Sequence, residues 1–177
     1  MIIELLNLLT GFIPRPMLIR PDEGGFRLFP KLFSGGCYLT ELLPGKWYWL
    51  IPWFMENEVC STRTQVADTR AQSTWTNDGQ NVTVGTSVRY YVSDPMKALL
   101  EVHNYDQSLQ NIVLGIVCEY AGKHSLEQLK TMSGELTALL LSEVRLASTG
   151  WGLKVQGVSI TDIGNAKNVR LLVSGIG

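Results

Sequence analysis

Residues 73–99, STWTNDGQNVTVGTSVRYYVSDPMKAL, set out a turn, a long strand and a capped helix in succession, with no obvious catalytic group among them. Asp78-Gly79 stands between two strand-like runs and predicts a hairpin, because glycine accepts the positive φ that such a turn requires. On the return strand Val82, Val84, Thr86, Val88, Tyr90 and Val92 alternate with Asn81, Thr83, Gly85, Ser87, Arg89 and Tyr91, which predicts one buried face. Asp94 is then placed to cap a helix whose first position is Pro95, where the fixed φ of proline suits the helix and its missing N–H costs nothing. That helix is expected to carry Met96, Leu99, Leu100 and Val102 towards a core.

Downstream, Leu109, Ile112, Val113, Ile116, Val117 and Tyr120 recur at three and four residues, predicting a helix from Tyr105 that stops near Gly122. Ser125 with Gln128 reads as a capping box for a short helix holding Leu126 and Leu129. Another helix is expected from Ser133, with Leu136, Leu139, Leu140, Val144 and Ala147 facing in and Gly150 as its end signal. A last strand, GLKVQGVSITDI, sets Leu153, Val155, Gly157 and Ser159 against Lys154, Gln156, Val158 and Ile160. Upstream, residues 56–76 read as extended chain, and residues 16–40 as short strands broken by turns at Asp22 to Gly25 and Ser34 to Gly36.

Two stretches depart from an ordinary soluble domain. In MIIELLNLLTGFIP, residues Ile2, Ile3, Leu5, Leu6, Leu8, Leu9, Phe12 and Ile13 cover most of a helical surface, and Glu4, Asn7 and Gly11 share a narrow strip. At about 1.5 Å per residue such a helix reaches about 20 Å before Pro14, too short for a hydrocarbon core roughly 30 Å thick. It is suited to lie in a bilayer interface or to pack on its own domain or a neighbouring subunit. The second stretch, LLPGKWYWLIPWFM, holds Trp47, Trp49 and Trp53 with Tyr48 and Phe54, rings that favour the headgroup level of a membrane. Its alternation fits a strand with Trp47, Trp49 and Ile51 on one face, so a buried strand is the alternative.

The totals bound the function. A chain of 177 residues can bury a sizeable core or two small ones, and a net charge of −1 gives no electrostatic footprint for nucleic acid. Cys37, Cys60 and Cys118 make no C-x-x-C pair; their odd number speaks for a reducing compartment and for buried, apolar thiols.

The order of parts from Leu43 to Ile163 resembles the SPFH (band 7) superfamily of stomatin, prohibitin and flotillin. The matching pieces are LLPGKWYWLIP as the Pro-Gly entry motif, then VADTRAQ, TNDGQNVTV, RYYVSDPMKAL and GWGLKVQGVSITDI. The resemblance implies an α/β (α+β) domain, an antiparallel sheet flanked by helices, held to a membrane near its N-terminus and assembled side by side into rings or cages. It implies a scaffold that encloses membrane patches and modulates a membrane protease, channel or transporter. Family members usually continue into a long Ala/Glu-rich coiled coil, whereas only GNAKNVRLLVSGIG follows Ile163, so the helical wall of a typical cage is not expected from this sequence.

The expected organisation is a membrane-associating segment over residues 1–14, a strand-rich membrane-proximal part over 15–55, an SPFH-like core over 56–164 and a short tail over 165–177. Membrane lipids and further copies of the chain are the expected partners, with the bulk of the chain cytoplasmic. A lateral interface is sought in the strand from Asn81 to Val92 and in the tail, where Val169, Leu172 and Val173 share a helical face that either docks on a neighbour or folds back. The alternative is a structural subunit of a soluble or virion-type assembly. No enzyme, cofactor or metal is expected: His103 and His124 lack metal-ligand spacing, Asp22-Glu23 and Glu56/Glu58 read as solvated charges, and Gly24-Gly25 and Gly35-Gly36 lack phosphate-loop spacing. Asn81-Val82-Thr83 fits a glycosylation acceptor by pattern alone.

Overall fold

The computed structural model describes residues 13–30, 36–52 and 54–165. Residues Ile2, Ile3, Leu5, Leu6, Leu8, Leu9, Phe12, Trp53, Val169, Leu172 and Val173 therefore lie outside the described residues. The described chain runs β1 (Arg15–Leu18), β2 (Glu23–Pro30), β3 (Cys37–Leu42), β4 (Trp47–Leu50), β5 (Glu56–Ser61), β6 (Gln65–Trp75) and β7 (Asn81–Val92), then α1 (Pro95–Glu101), α2 (Tyr105–Lys123), α3 (Leu126–Thr131), α4 (Ser133–Ala147) and β8 (Leu153–Asn165). The class is the expected mixture of antiparallel strands and helices, with the strands distributed over three sheets in the orders β1-β4, β3-β2-β5 and β6-β7-β8. Two compact units interleave along the sequence, one drawn from Met1–Gln65, Tyr90–Tyr105 and Ser148–Lys154, the other from Val66–Arg89, Asp106–Ala147 and Val155–Gly177.

In the first unit, Ile19, Phe26, Leu42, Tyr90, Val92 and Ala98 form the core. The turn expected over Asp22 to Gly25 closes earlier, where the Glu23 N–H bonds to the Arg20 carbonyl at 3.1 Å. Gly24 and Gly25 lie inside β2, between β3 and β5, and serve close approach instead. A Cβ on Gly25 would stand 1.9 Å from the Glu58 carbonyl oxygen, and one on Gly24 2.6 Å from Pro95 Cγ. Asp94 caps α1 as predicted, its Oδ1 accepting from the Lys97 N–H at 3.1 Å. The buried residue of α1 is Ala98, while Leu100 is 50% exposed and Met96, Leu99 and Val102 are half-buried. The reason is Gly152: a Cβ there would come within 2.4 Å of the Asp94 carbonyl oxygen and 3.1 Å of the Ala98 nitrogen, so the backbones nearly touch and only a small side chain fits.

In the second unit, the hairpin forms at the expected place. Gly79 has φ +73°, its N–H bonds to the Thr76 carbonyl at 3.0 Å, and the Thr76 N–H bonds to the Gln80 carbonyl at 3.0 Å. This is the hydrogen-bond pattern of a glycine-first (G1) bulge closing a short loop. Along β7 every predicted inward residue is buried, and Thr86 is satisfied by Thr69, whose Oγ1 donates to the Thr86 carbonyl at 2.8 Å. The core adds Leu109, Val113, Val117 and Ala121 of α2, and Leu136, Leu140 and Val144 of α4. Leu139 and Ala147, expected inward, are exposed. The Ser125/Gln128 capping box is present with both of its bonds.

The alternation predicted for β8 changes phase. Leu153 and Val155 are buried, then Val158, and Ser159 is exposed, so one residue is inserted in the pleat around Gln156-Gly157. The Arg145 side chain occupies this point, Nε donating to the Val155 carbonyl at 3.0 Å and Nη2 to the Gln156 carbonyl at 3.3 Å. The strand from Asn81 to Val92 is the middle of the β6-β7-β8 sheet, so both its edges are paired and it offers no open edge to a neighbour.

Candidate functional site

The β1-β4 ribbon assembles the aromatic segment. Its register pairs Leu18 with Trp47, Met17 with Tyr48, Pro16 with Trp49 and Arg15 with Leu50. Directly opposed residues share a face, so Pro16, Leu18, Trp47 and Trp49 stand on one side and Arg15, Met17, Tyr48 and Leu50 on the other. The first set faces outward: Trp47 is 69% exposed, Trp49 64% and Leu18 44%. The tryptophan stretch is thus a strand, as one reading held, but the indoles lie on its open face. Ile13, just before β1, and Leu43 and Phe54, to either side of β4, are also exposed.

The Pro44-Gly45 pair fixes this geometry. Gly45 has φ +72°; its N–H bonds to the Ile19 carbonyl at 3.0 Å, while the Ile19 N–H bonds to the Lys46 carbonyl at 3.1 Å. Here too the pattern is that of a G1 bulge, with Ile19 opposite the Gly45-Lys46 pair, and it turns the chain into β4 in the phase that sends Trp47 outward.

The inner face rests on a residue that the sequence did not single out. Arg27 is only 7% exposed, its guanidinium carbon 5.2 Å from the centre of the Tyr48 ring and 5.6 Å from that of Phe29. Its Nε donates to Asn57 Oδ1 at 2.8 Å, and Asn57 Nδ2 in turn reaches Met17 Sδ at 3.2 Å. Burial lowers the pKa of the guanidinium, and Tyr48 pulls partly the other way. Among the described residues its Nη2 has no hydrogen-bond partner, and two aromatic faces take the place of a carboxylate. The Tyr48 hydroxyl accepts from the Leu43 N–H at 2.9 Å, tying the ribbon to its own turn. Arg27 could have been suspected only from register, as the polar member of a strand whose partners were not yet known.

The other candidates are dispersed. His103 is exposed, and His124 stacks on Tyr120 with ring centres 4.1 Å apart while its Nδ1 meets the Tyr120 carbonyl at 2.8 Å. Asp22 pairs with Arg63 at 2.9 Å and Glu23 lies 3.8 Å from Arg20. Among the described residues no three His, Cys, Asp or Glu gather as a metal site requires. Of the thiols only Cys60 is buried, against the expectation for all three. Burial pushes it up to about 11, whereas Cys37 and Cys118 are exposed, one on an outer strand and the other on the solvent side of α2.

Residues 21–171 match the profile of the SPFH domain / Band 7 family. The chain is 32% identical over 132 residues to a stomatin homolog of Pyrococcus horikoshii, covering 75% of this chain and 49% of that protein. A stomatin homolog of Pyrococcus abyssi gives the same values. Stomatin-3 of Caenorhabditis elegans is 25% identical over 114 residues, 64% of this chain and 43% of that one. The chain therefore spans about half the length of the curated relatives it matches first.

Replacing Arg27 tests its hold on the ribbon. Arg27→Ala removes the stem, two cation–π contacts and the donor to Asn57, and is expected to lower unfolding stability by about 2–4 kcal/mol in urea titrations. Arg27→Lys keeps the charge without the planar fork and should fall between the two. An alanine variant as stable as the parent would refute the role.

Proposed function

The chain belongs to the SPFH/Band 7 family, and we propose that it is a membrane-associated scaffold that joins copies of itself into a ring or cage and organises the membrane patch, protease, channel or transporter so enclosed. The observation that carries the reading is the ribbon. Trp47 and Trp49 face outward on β4, whose pairing partner β1 begins directly after an apolar segment of 14 residues. No described helix is long and apolar enough to cross a membrane. A short interfacial segment binds reversibly on its own, and a second contact held close to it converts marginal binding into stable anchoring. Indoles suit that second contact, because their apolar body and N–H match the headgroup layer. Arg15 and Arg20, just after the apolar segment, favour the cytoplasmic side for the bulk of the chain.

The reading asks for no nucleophile: the turn and strand from which it starts do structural work. Since β7 is flanked on both sides, lateral contacts by strand pairing fall to the outer edges of β6 or β8, or to the tail with Val169, Leu172 and Val173. Electron microscopy of detergent-extracted protein should show closed particles; a population of single subunits would end the assembly proposal.

Flotation with liposomes tests the membrane contact. Trp47→Ser with Trp49→Ser is expected to reduce bound protein at least tenfold with secondary structure unchanged, since each buried indole contributes about 1.5–3 kcal/mol. Unchanged flotation, with the face covered by neighbouring subunits instead, would favour a soluble structural assembly.

Orientation is read by a membrane-impermeant maleimide at neutral pH. Cys37 and Cys118 should stay unlabelled in intact cells and react after lysis. Cys60 should react in neither case while the protein is folded, since it is buried and its thiol, raised to about 11, is almost wholly protonated. Labelling of Cys37 from outside would reverse the assigned side.

A further inference from the structure

The ribbon has a charge pattern as well as an apolar face. Residues 13–20 and 43–52 hold Arg15, Arg20 and Lys46 and no acidic residue. All three cations are exposed. Arg20 continues the alternation of Pro16 and Leu18 and sits at the Gly45 end of the tryptophan face; its Nε is 3.8 Å from Glu23 Oε1, and its side chain is 73% exposed. The bulge at Gly45 places Lys46 at that same end, opposite Ile19, and Arg15, opposite Leu50, belongs by register to the reverse face at the other end; both are exposed and flank the tryptophan face from the ribbon's ends, within reach of a surface that the face rests on. Among the described residues the ion pairs do not include Arg15 or Lys46.

An indole surface on a ribbon that carries exposed cations at both ends and no carboxylate of its own complements a layer of phosphate and carboxylate headgroups. A second copy of the same face complements it poorly, because two-fold pairing would bring like charges together.

We propose that the ribbon docks selectively on anionic bilayers, with Leu18, Trp47 and Trp49 entering the headgroup layer and Arg15, Arg20 and Lys46 lying against anionic lipid headgroups. This rests on the ribbon being a membrane contact and adds the lipid class that it selects. Each basic residue near such a surface strengthens partitioning about fivefold, so the three together are worth on the order of a hundredfold.

The test is flotation of the full chain with phosphatidylcholine vesicles, with and without phosphatidylserine, at low and high salt. Binding should rise with phosphatidylserine and lose most of that rise in high salt. Arg15→Gln, Arg20→Gln and Lys46→Gln combined should abolish the rise while binding to phosphatidylcholine persists. Arg15→Lys with Arg20→Lys should retain it, separating charge from any loss of fold. If the parent floats equally with both vesicles, or the glutamine variant keeps the gain, charge selectivity is overturned and the membrane contact stands. If the parent floats with neither, the contact itself is wrong. If Trp47→Ser with Trp49→Ser leaves flotation intact but shrinks the particle, the face belongs to a second copy, and both readings fall.

Discussion

A guanidinium that among the described residues meets aromatic rings and an amide instead of a carboxylate backs the ribbon, and its placement decides what the outer surface can be. Arg27 occupies the space between Phe29 and Tyr48 and donates to Asn57, which in turn meets Met17. Met17 and Tyr48 are opposed in the ribbon register, so both inward positions are committed to the same polar-aromatic cluster. Side chains on a strand alternate, and Pro16, Leu18, Trp47 and Trp49 are left no direction but outward. A slip by one residue would put two indoles onto Arg27 and turn Tyr48 to solvent. The apolar face is therefore the obligatory reverse of a cation's solvation shell.

Glycine sets the phase of two ribbons by the same device. At Gly45 and again at Gly79 a positive φ lets one N–H reach back across the ladder while the following carbonyl, of Lys46 or Gln80, accepts from the opposite residue. Each bulge fixes which side the next residue takes, Trp47 in one case and Asn81 in the other. Gly24 and Gly25 do different work inside β2, where the neighbouring Pro95 ring and Glu58 carbonyl leave no room for a side chain. Composition alone makes these glycines look alike.

Local chemistry was legible where the signal was complete within a few residues. The Asp-Gly turn, the caps at Asp94 and Ser125 and the alternation of β7 each satisfy a backbone or burial demand that neighbours in sequence answer, and the order of these parts was enough to point to the SPFH/Band 7 family. Reading failed where a distant partner decides. Asp22-Glu23-Gly24-Gly25 looks like a turn until β5 and Pro95 are known to press on it, and Ala98 outranks Leu100 only because Gly152 lies beneath α1. The phase change in β8 is met by Arg145, ten residues back from Val155, which donates to the carbonyls exposed there. For the candidate site, the tryptophans were visible as a cluster, but Pro16 and Leu18 joined them only through pairing, and Arg27 only through the packing of the opposite face.

The carbonyl of Gly152 accepts from the N–H groups of Ser93 and Asp94, at 2.8 Å and 3.0 Å, and from the Ser93 hydroxyl at 3.0 Å. Residue 152 is thus the acceptor for the junction of β7 with α1, across a separation of 59 residues in the chain. The segment between them, Asp106–Ala147, belongs to the other unit. During synthesis the first unit lacks its closing piece until that whole insert has left the ribosome, so neither unit can be finished in the order in which it is made. Contacts so far apart in sequence require closing a long loop before they are repaid, which slows folding relative to local pairing.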